Sequence, residues 1–327
     1  MHDVIRVTIE RGSGIEIQCA DPRVPRDESN TCFRMVEKAI VALRAKGRVT
    51  LKIEKRLPVQ GGLGGASANA VAALLGLERA LKKSLPATER QRIAEEVGSD
   101  LPLFLMGGTV LGTGRGEQVY PLEDFPATPC VILTPEVGVS TPKAFAEWDR
   151  LCGAGTPARE LSPTINSVGS EKEPAGFHPA RTGKSARPHT GTARASAAKL
   201  TPPASSDRMN ELGRGLSAWL GESYSGAPFR RGRRENPLLE LVRAGIKNDF
   251  EQVVFPEYPE LSEAKRALER AGAKYASLSG SGSTLYGLFA SKDAASAAVT
   301  KLRKQGWAAQ ATVTLPRREY WKRSLVR

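Results

Sequence analysis

Apolar and polar residues alternate at three places near the start of the chain. Ile5, Val7 and Ile9 alternate, Gly12-Ser13-Gly14 marks a turn, and Ile15, Ile17 and Cys19 alternate again. That pattern predicts a β-hairpin. Val49, Leu51 and Ile53 predict a third strand that stops at Pro58. Between them the period lengthens. Phe33, Val36, Ile40 and Leu43 predict the apolar face of a helix from about Thr31 to Ala45, with Asn30 as its cap and Gly47 as its end. After Pro58 a glycine-rich turn leads into an Ala/Leu helix reaching about Leu81. Pro86 and Thr88-x-x-Gln91 predict another helix that ends at Gly98. Further along, Val131-Ile132-Leu133 reads as a strand, and Leu239 to Ala244 and Ser262 to Ala271 read as helices. Tyr275 to Leu278 and Thr284 to Phe289 read as strands, Ala294 to Gln305 as a helix and Ala308 to Leu315 as a last strand. Strands and helices mix in both halves, so the expected class is α+β with two domains, which suits 327 residues.

The pattern breaks from about Gly155 to Arg234. This stretch is rich in Pro, Ala, Ser, Gly and Arg and holds no sustained period, apart from Leu212, Leu216, Trp219 and Leu220 at helical spacing. Such a composition buries too little to offset its ordering entropy, so a mostly disordered insert over 155–234 is expected. It contains 13 Lys and Arg against 6 Asp and Glu, hence +7 of the chain's net +13. A basic chain suits anionic partners. A nucleic-acid role would have to rest on this insert, where solvated basic linkers are the commoner case, so nucleic acid is not an expected partner.

Composition narrows the chemistry. Cys19, Cys32, Cys130 and Cys152 are far apart, with no CxxC pair, so buried thiols are expected rather than a disulfide framework or zinc site. The histidines are His2, His178 and His189, too few and too scattered for a Ser-His-Asp or histidine–metal enzyme. No apolar run approaches the roughly 18 residues of a membrane span, and the opening MHDVIRVTIERGSG lacks an apolar signal core. A cytoplasmic protein is the expectation, with no membrane partner.

The strongest local signal runs through Pro58, Val59, Gln60, Gly61, Gly62, Leu63, Gly64, Gly65, Ala66, Ser67 and Ala68, in the order strand, glycine turn, helix. Glycines admit positive φ and let backbone N–H groups approach a ligand, and the helix adds unpaired N–H groups and its positive dipole end. This suits a di- or triphosphate. It is neither a Walker A loop nor a dinucleotide fingerprint, and a tight turn with close helix packing is the bland alternative. Asp100, in Gly98-Ser99-Asp100-Leu101-Pro102, lies just past a helix and before Leu103-Phe104-Leu105; alone it reads as a cap or turn residue. Ser279-Gly280-Ser281-Gly282-Ser283 is a second loop, read equally as a hairpin connection or a ligand loop.

Taken together and in order, these stretches resemble the GHMP kinase superfamily. The resemblance runs through LPVQGGLGGASANAVAALLGL, GSDLPLFLMGGTVLGTGRGE and TPEVGVSTPKAFAEW, and resumes at KNDFEQVVFPEYPEL and YASLSGSGSTLYGLF. Within the superfamily, Asp100 in GSDLPLFL and the NDFE segment favour the branch that acts on a cytidine diphosphate-linked methylerythritol over homoserine or mevalonate kinases. The resemblance implies a two-domain GHMP kinase fold: residues 1–127 like domain 2 of ribosomal protein S5, and residues 128–327 ferredoxin-like, carrying the insert. It implies ATP along Pro58 to Ala68, magnesium with the ATP, and Asp100 as the base that takes the proton of the substrate hydroxyl. Phe145 would pack on the cytosine, and Ser279, Gly280, Ser281 and Gly282 would close over the substrate region. No residue is assigned to the metal.

The sequence departs from the family pattern in places. Gln60 and Ala66 stand where glycine is usual, and Ala68 where a second serine is usual. The family's opening Ala-Lys-Ile-Asn-Leu strand, with its catalytic lysine, and the following Gly-Tyr-His segment do not occur in these 327 residues. Residues 1–20 hold no lysine, and Arg6 and Arg11 lie in another strand context, so the chain as it stands is expected to be a poor catalyst. Three readings remain: a small-molecule kinase, a non-catalytic GHMP-like binding module, and a basic nucleic-acid-binding protein on an S5-like fold.

Overall fold

A computed structural model describes residues 1–152 and 247–324. The expectations for the 155–234 insert, for the helical spacing of Leu212 to Leu220 and for the helix from Leu239 to Ala244 fall outside the described residues.

The N-terminal half is built from β1 (Val4–Glu10), β2 (Ile15–Cys19), α1 (Thr31–Ala42), β3 (Arg48–Glu54), α2 (Gly65–Leu81), α3 (Ala87–Val97), α4 (Leu101–Met106), β4 (Val110–Thr113) and β5 (Gln118–Pro121). The expected hairpin does not form. β1 pairs antiparallel and β2 parallel with β3, so the sheet order is β1-β3-β2. The reason lies in β3, whose Val49, Leu51 and Ile53 are all but fully buried while β1 keeps only half-buried apolar residues. The most apolar strand takes the centre, where both its edges are paired. The β2–α1–β3 crossover then lays α1 over the sheet, as a parallel pair requires.

Asn30 caps α1 as expected, its Oδ1 accepting from Cys32 N at 2.8 Å, a contribution of about 1 kcal/mol. The helix ends at Ala42, before Gly47, and Arg44 takes the left-handed turn at φ 48°. Its buried face is Cys32, Met35, Val36 and Ala39, while Phe33, Ile40 and Leu43 pack at the margin. α2 lies against β1 so tightly that a Cβ on Gly76 would fall 2.6 Å from Val7 Cγ2. The expected capping box of α3 is absent: Pro86 occupies the cap and no side chain bonds there. The Leu103-Phe104-Leu105 run forms α4, and β4–β5 is a hairpin that the sequence pattern did not indicate.

The C-terminal half comprises β6 (Pro129–Leu133), α5 (Thr141–Leu151), α6 (Glu251–Glu257), α7 (Pro259–Arg270), β7 (Tyr275–Leu278), β8 (Leu285–Leu288), α8 (Lys292–Lys304), β9 (Ala309–Val313) and α9 (Arg317–Ser324). Its strands form an antiparallel sheet of order β7-β8-β6-β9, the ferredoxin-like arrangement. Leu261, Ala264 and Leu268 of α7 and Ala295, Ala298 and Leu302 of α8 pack on Val131, Leu133, Leu278 and Leu285 from one face. Each fully covered leucine contributes about 1.5–3 kcal/mol. Three of the cysteines are buried as expected, with the Cys32 and Cys130 thiols pushed up to about 12 by burial, but Cys152 is exposed at the end of α5.

Candidate active site

β3 delivers the chain to the site. Past Glu54 it runs through Lys55, Arg56 and Leu57 into the glycine turn, and α2 begins at Gly65. Gln60, Gly62 and Gly64 take φ of 58°, 71° and 63°. Glycine adopts this left-handed backbone freely, whereas Gln60 costs about 1–2 kcal/mol there. No side chain caps α2, so its first-turn N–H groups have no side-chain partner at the cap. The Ala66 carbonyl is held by Thr31 Oγ1 at 3.2 Å.

The entry to this turn is pinned by Asp3, which the sequence did not single out. The register Val4↔Glu54 sets the residue before β1 beside the residues after β3. Asp3, its side chain wholly covered, accepts from Lys55 Nζ at 2.5 Å, Arg56 N at 2.7 Å, Leu57 N at 2.8 Å and Asn69 Nδ2 at 2.7 Å. Burial pushes the Asp3 carboxyl up, but Lys55, the two backbone N–H groups and Asn69 together outweigh it and hold the carboxyl below its ordinary range. Lys55 Nζ lies 3.5 Å and Asp3 Oδ2 3.8 Å from where a Cβ on Gly65 would stand, so a closed ion pair sits at the start of α2.

The second loop docks on the first. Ser279 Oγ donates to the Gly62 carbonyl at 2.9 Å and Thr284 N to the Gly61 carbonyl at 3.1 Å. A Cβ on Gly62 would run into the Ser279 carbonyl oxygen and stand 2.6 Å from that of Gly282, so only glycine fits. The NDFE segment braces this loop from behind. Asn248 Nδ2 donates to the carbonyls of Leu278 at 2.8 Å and Gly280 at 2.7 Å. Glu251 accepts from Ser277 Oγ at 2.8 Å and Leu278 N at 3.0 Å. Ser281 shares a 2.9 Å hydroxyl contact with Thr141, one turn from Phe145 on α5. Phe145 stands half exposed, edge-on to Phe250 with ring centroids 4.8 Å apart.

Asp100 sits at the cap position of α4 in a helical conformation, exposed, and its side chain makes no cap bond. α4 touches the glycine turn directly: a Cβ on Gly64 would stand 2.9 Å from Phe104 Cε2. The structure therefore packs Gly61 to Gly64 against Ser279 to Thr284 and against Phe104 of the helix that follows Asp100. Asp3, Lys55 and Asn69 escape a linear reading because their meeting depends on the β1–β3 register. A cavity of roughly 1050 Å³ on the outer face of the sheet, lined by Arg6, Lys52 and Glu54, reaches Lys55 but none of residues 58–68.

Two family models match the chain: GHMP kinases N terminal domain over residues 30–108 and GHMP kinases C terminal over 232–307. A strand–glycine turn–helix in one half, met by a Gly/Ser loop of a ferredoxin-like half, defines a GHMP kinase, an ATP-dependent small-molecule phosphotransferase. The 4-diphosphocytidyl-2-C-methyl-D-erythritol kinase of Solibacter usitatus is 31% identical over 297 residues, 90% of this chain and 73% of that protein. The one of Geobacter sulfurreducens is 28% identical over 96% of this chain and 86% of its own length. The chain belongs to the 4-diphosphocytidyl-2-C-methyl-D-erythritol kinase family. Solved structures agree on the fold: a 4-(cytidine 5'-diphospho)-2C-methyl-D-erythritol kinase superposes with a TM-score of 0.58 at 23% identity, covering 95% of this chain and 85% of the other. A homoserine kinase from Cytophaga hutchinsonii superposes at 0.63 with 18% identity, covering 96% and 86%.

Proposed function

We infer that this kinase transfers the γ-phosphoryl group of ATP to the 2-hydroxyl of 4-diphosphocytidyl-2-C-methyl-D-erythritol, a step of non-mevalonate isoprenoid precursor synthesis. The observation that carries this reading is the docking of Ser279 and Thr284 on Gly62 and Gly61, beside a helix whose cap position is Asp100. On this reading nucleotide loop, substrate loop and base serve one reaction.

The residues fit a triphosphate. α2 presents an N-terminus with no side-chain cap behind the glycine turn, and the buried Thr284 Oγ1, which has no hydrogen-bond partner, stands 3.1 Å from where a Gly61 Cβ would lie. These fixed donors stabilise charge on the phosphates without reorganising. Asp100 takes the proton from the attacking hydroxyl, and Phe145 stacks on the cytosine. Magnesium, when bound with ATP, offsets charge on the transferring phosphoryl group. It would be held largely by phosphates and water, so a dedicated acidic cluster is not required. Among the described residues no helix is long and apolar enough to cross a membrane. A cytoplasmic setting accords with the ATP it consumes, and cell fractionation checks it.

The deciding experiment follows phosphate by ³¹P NMR, with ATP, magnesium and either the cytidine diphosphate-linked polyol or homoserine as acceptor. A new phosphomonoester on the former alone supports the reading. Turnover of homoserine only, or nucleotide binding without any transfer, overturns it in favour of another GHMP kinase or a binding module.

A further inference from the structure

α4 is only six residues long, too short to hold itself, and its last carbonyls have no partner within the helix. They are met from the far end of the chain. Tyr320 Oη donates to the Phe104 carbonyl at 2.8 Å, Trp321 Nε1 to the Met106 carbonyl at 3.1 Å, and Arg317 Nε to the Gly107 carbonyl at 3.0 Å. Arg317 Nη2 continues to the Thr109 carbonyl at 2.9 Å. Asp124 closes the joint, accepting from Thr109 N at 2.9 Å and Arg317 N at 2.6 Å. The three donors sit at positions i, i+3 and i+4 of α9 and so share one face. The approach is close: a Cβ on Gly107 would lie 2.9 Å from Tyr320 Cε1, and one on Gly108 would lie 2.7 Å from Arg317 Cβ.

Two features separate this from ordinary core packing. No residue of α9 is fully buried, so the helix adds little apolar burial of its own, and its inward face is spent on hydrogen bonds. What those bonds hold is the helix that starts at Asp100 and carries Phe104 against Gly64. α9 follows β9 of the C-terminal sheet and returns to the N-terminal half. The C-terminal half therefore grips the site twice, once through Ser279 on the phosphate turn and once through α9 on the helix of the base.

We propose that α9 is a positioning strap for phosphoryl transfer, in which Arg317, Tyr320 and Trp321 set the place of Asp100 relative to the glycine turn. The proposal rests on the kinase reading above. In-line transfer is sensitive to displacement, and a shift of about 1 Å costs up to about 10²-fold in rate. Loosening α4 at its carboxy end moves both Asp100 and the Phe104 ring, while the acceptor's contacts at Phe145 and Ser281 stay in place.

The test uses the full chain with Tyr320→Phe, Trp321→Phe and the pair together, each removing donors while keeping an aromatic ring. The pair is expected to lower kcat by about 10–10²-fold with KM for the acceptor within about twofold. In the Asp100→Asn background the pair should add little, since both changes act through one carboxylate. Unchanged kcat in folded variants, or losses that multiply with those of Asp100→Asn, would overturn the strap. A purely structural role would lower the thermal midpoint and leave kcat and that coupling untouched. Amide exchange at Leu103–Gly107 gives an independent arm. If the unsubstituted chain phosphorylates no acceptor, the kinase reading fails by itself. Faster exchange confined to these amides in the variants would then still support the strap, and unchanged exchange would overturn it.

Discussion

The two glycine-rich loops look alike as strings and differ as structures. Gly61 to Gly65 ends on a 17-residue helix, and no side chain closes that helix. Ser279 to Ser283 joins two strands; Asn248 binds the carbonyls of Gly280 and of Leu278 just before the loop, Glu251 accepts from Leu278 N, and Thr141 meets the Ser281 hydroxyl. The first loop therefore leads into a helix end with no side-chain cap, while the second is braced from behind and docks on Gly62. Glycine content signals room for close approach; the element after the glycines decides whether the loop ends on a helix N-terminus or on a paired strand.

Substitutions put that contrast to the test. The largest effect is expected at the site both loops border: Asp100→Asn should lower turnover by about 10²–10⁴-fold with ATP affinity and thermal midpoint nearly unchanged, measured by steady-state kinetics and calorimetry. A loss of stability alone would return Asp100 to a turn role. Asp3→Asn comes next, because it leaves Lys55 partly uncompensated beneath the first loop and should cost about 3–5 kcal/mol in denaturant titration. Its pH dependence has a fixed sign. The native Asp3 carboxyl is held below its unfolded value of about 3.9, so its contribution is complete above that pH and is lost as pH falls through the native value. The gap between wild type and Asp3→Asn should therefore close in acid. A gap that widened in acid would contradict the depressed carboxyl.

Asn248→Ala tests the second loop, removing two bonds to its carbonyls and the one to Phe250 N. A loss of about 1–3 kcal/mol is expected, with KM for the acceptor raised and ATP affinity kept. Equal loss of both affinities would mean the loops act as one. The smallest effect is Ser279→Ala, which removes a single bond to Gly62 and should cost about 0.5–1.5 kcal/mol.

Features that depend on neighbours along the chain were legible in the sequence. The β3–turn–α2 passage, the Asn30 cap, the β7 and β8 strands and the α8 helix all arise from local period, caps and glycine spacing, and the structure has them. The family was legible for the same reason, since its motifs are short and ordered. Features that depend on distant partners needed the packed molecule. β3 displaced the expected hairpin by taking the centre of the sheet, because burial on both edges outweighs a short loop closure. Asp3 became the anchor of the glycine turn across 52 positions to Lys55, and α9 reached α4 across more than two hundred. A carboxylate before a strand or a tyrosine near the end of a chain carries no local sign of its partner. Which buried donor meets which acceptor is set by strand register and helix docking, and those are settled when the whole core packs at once.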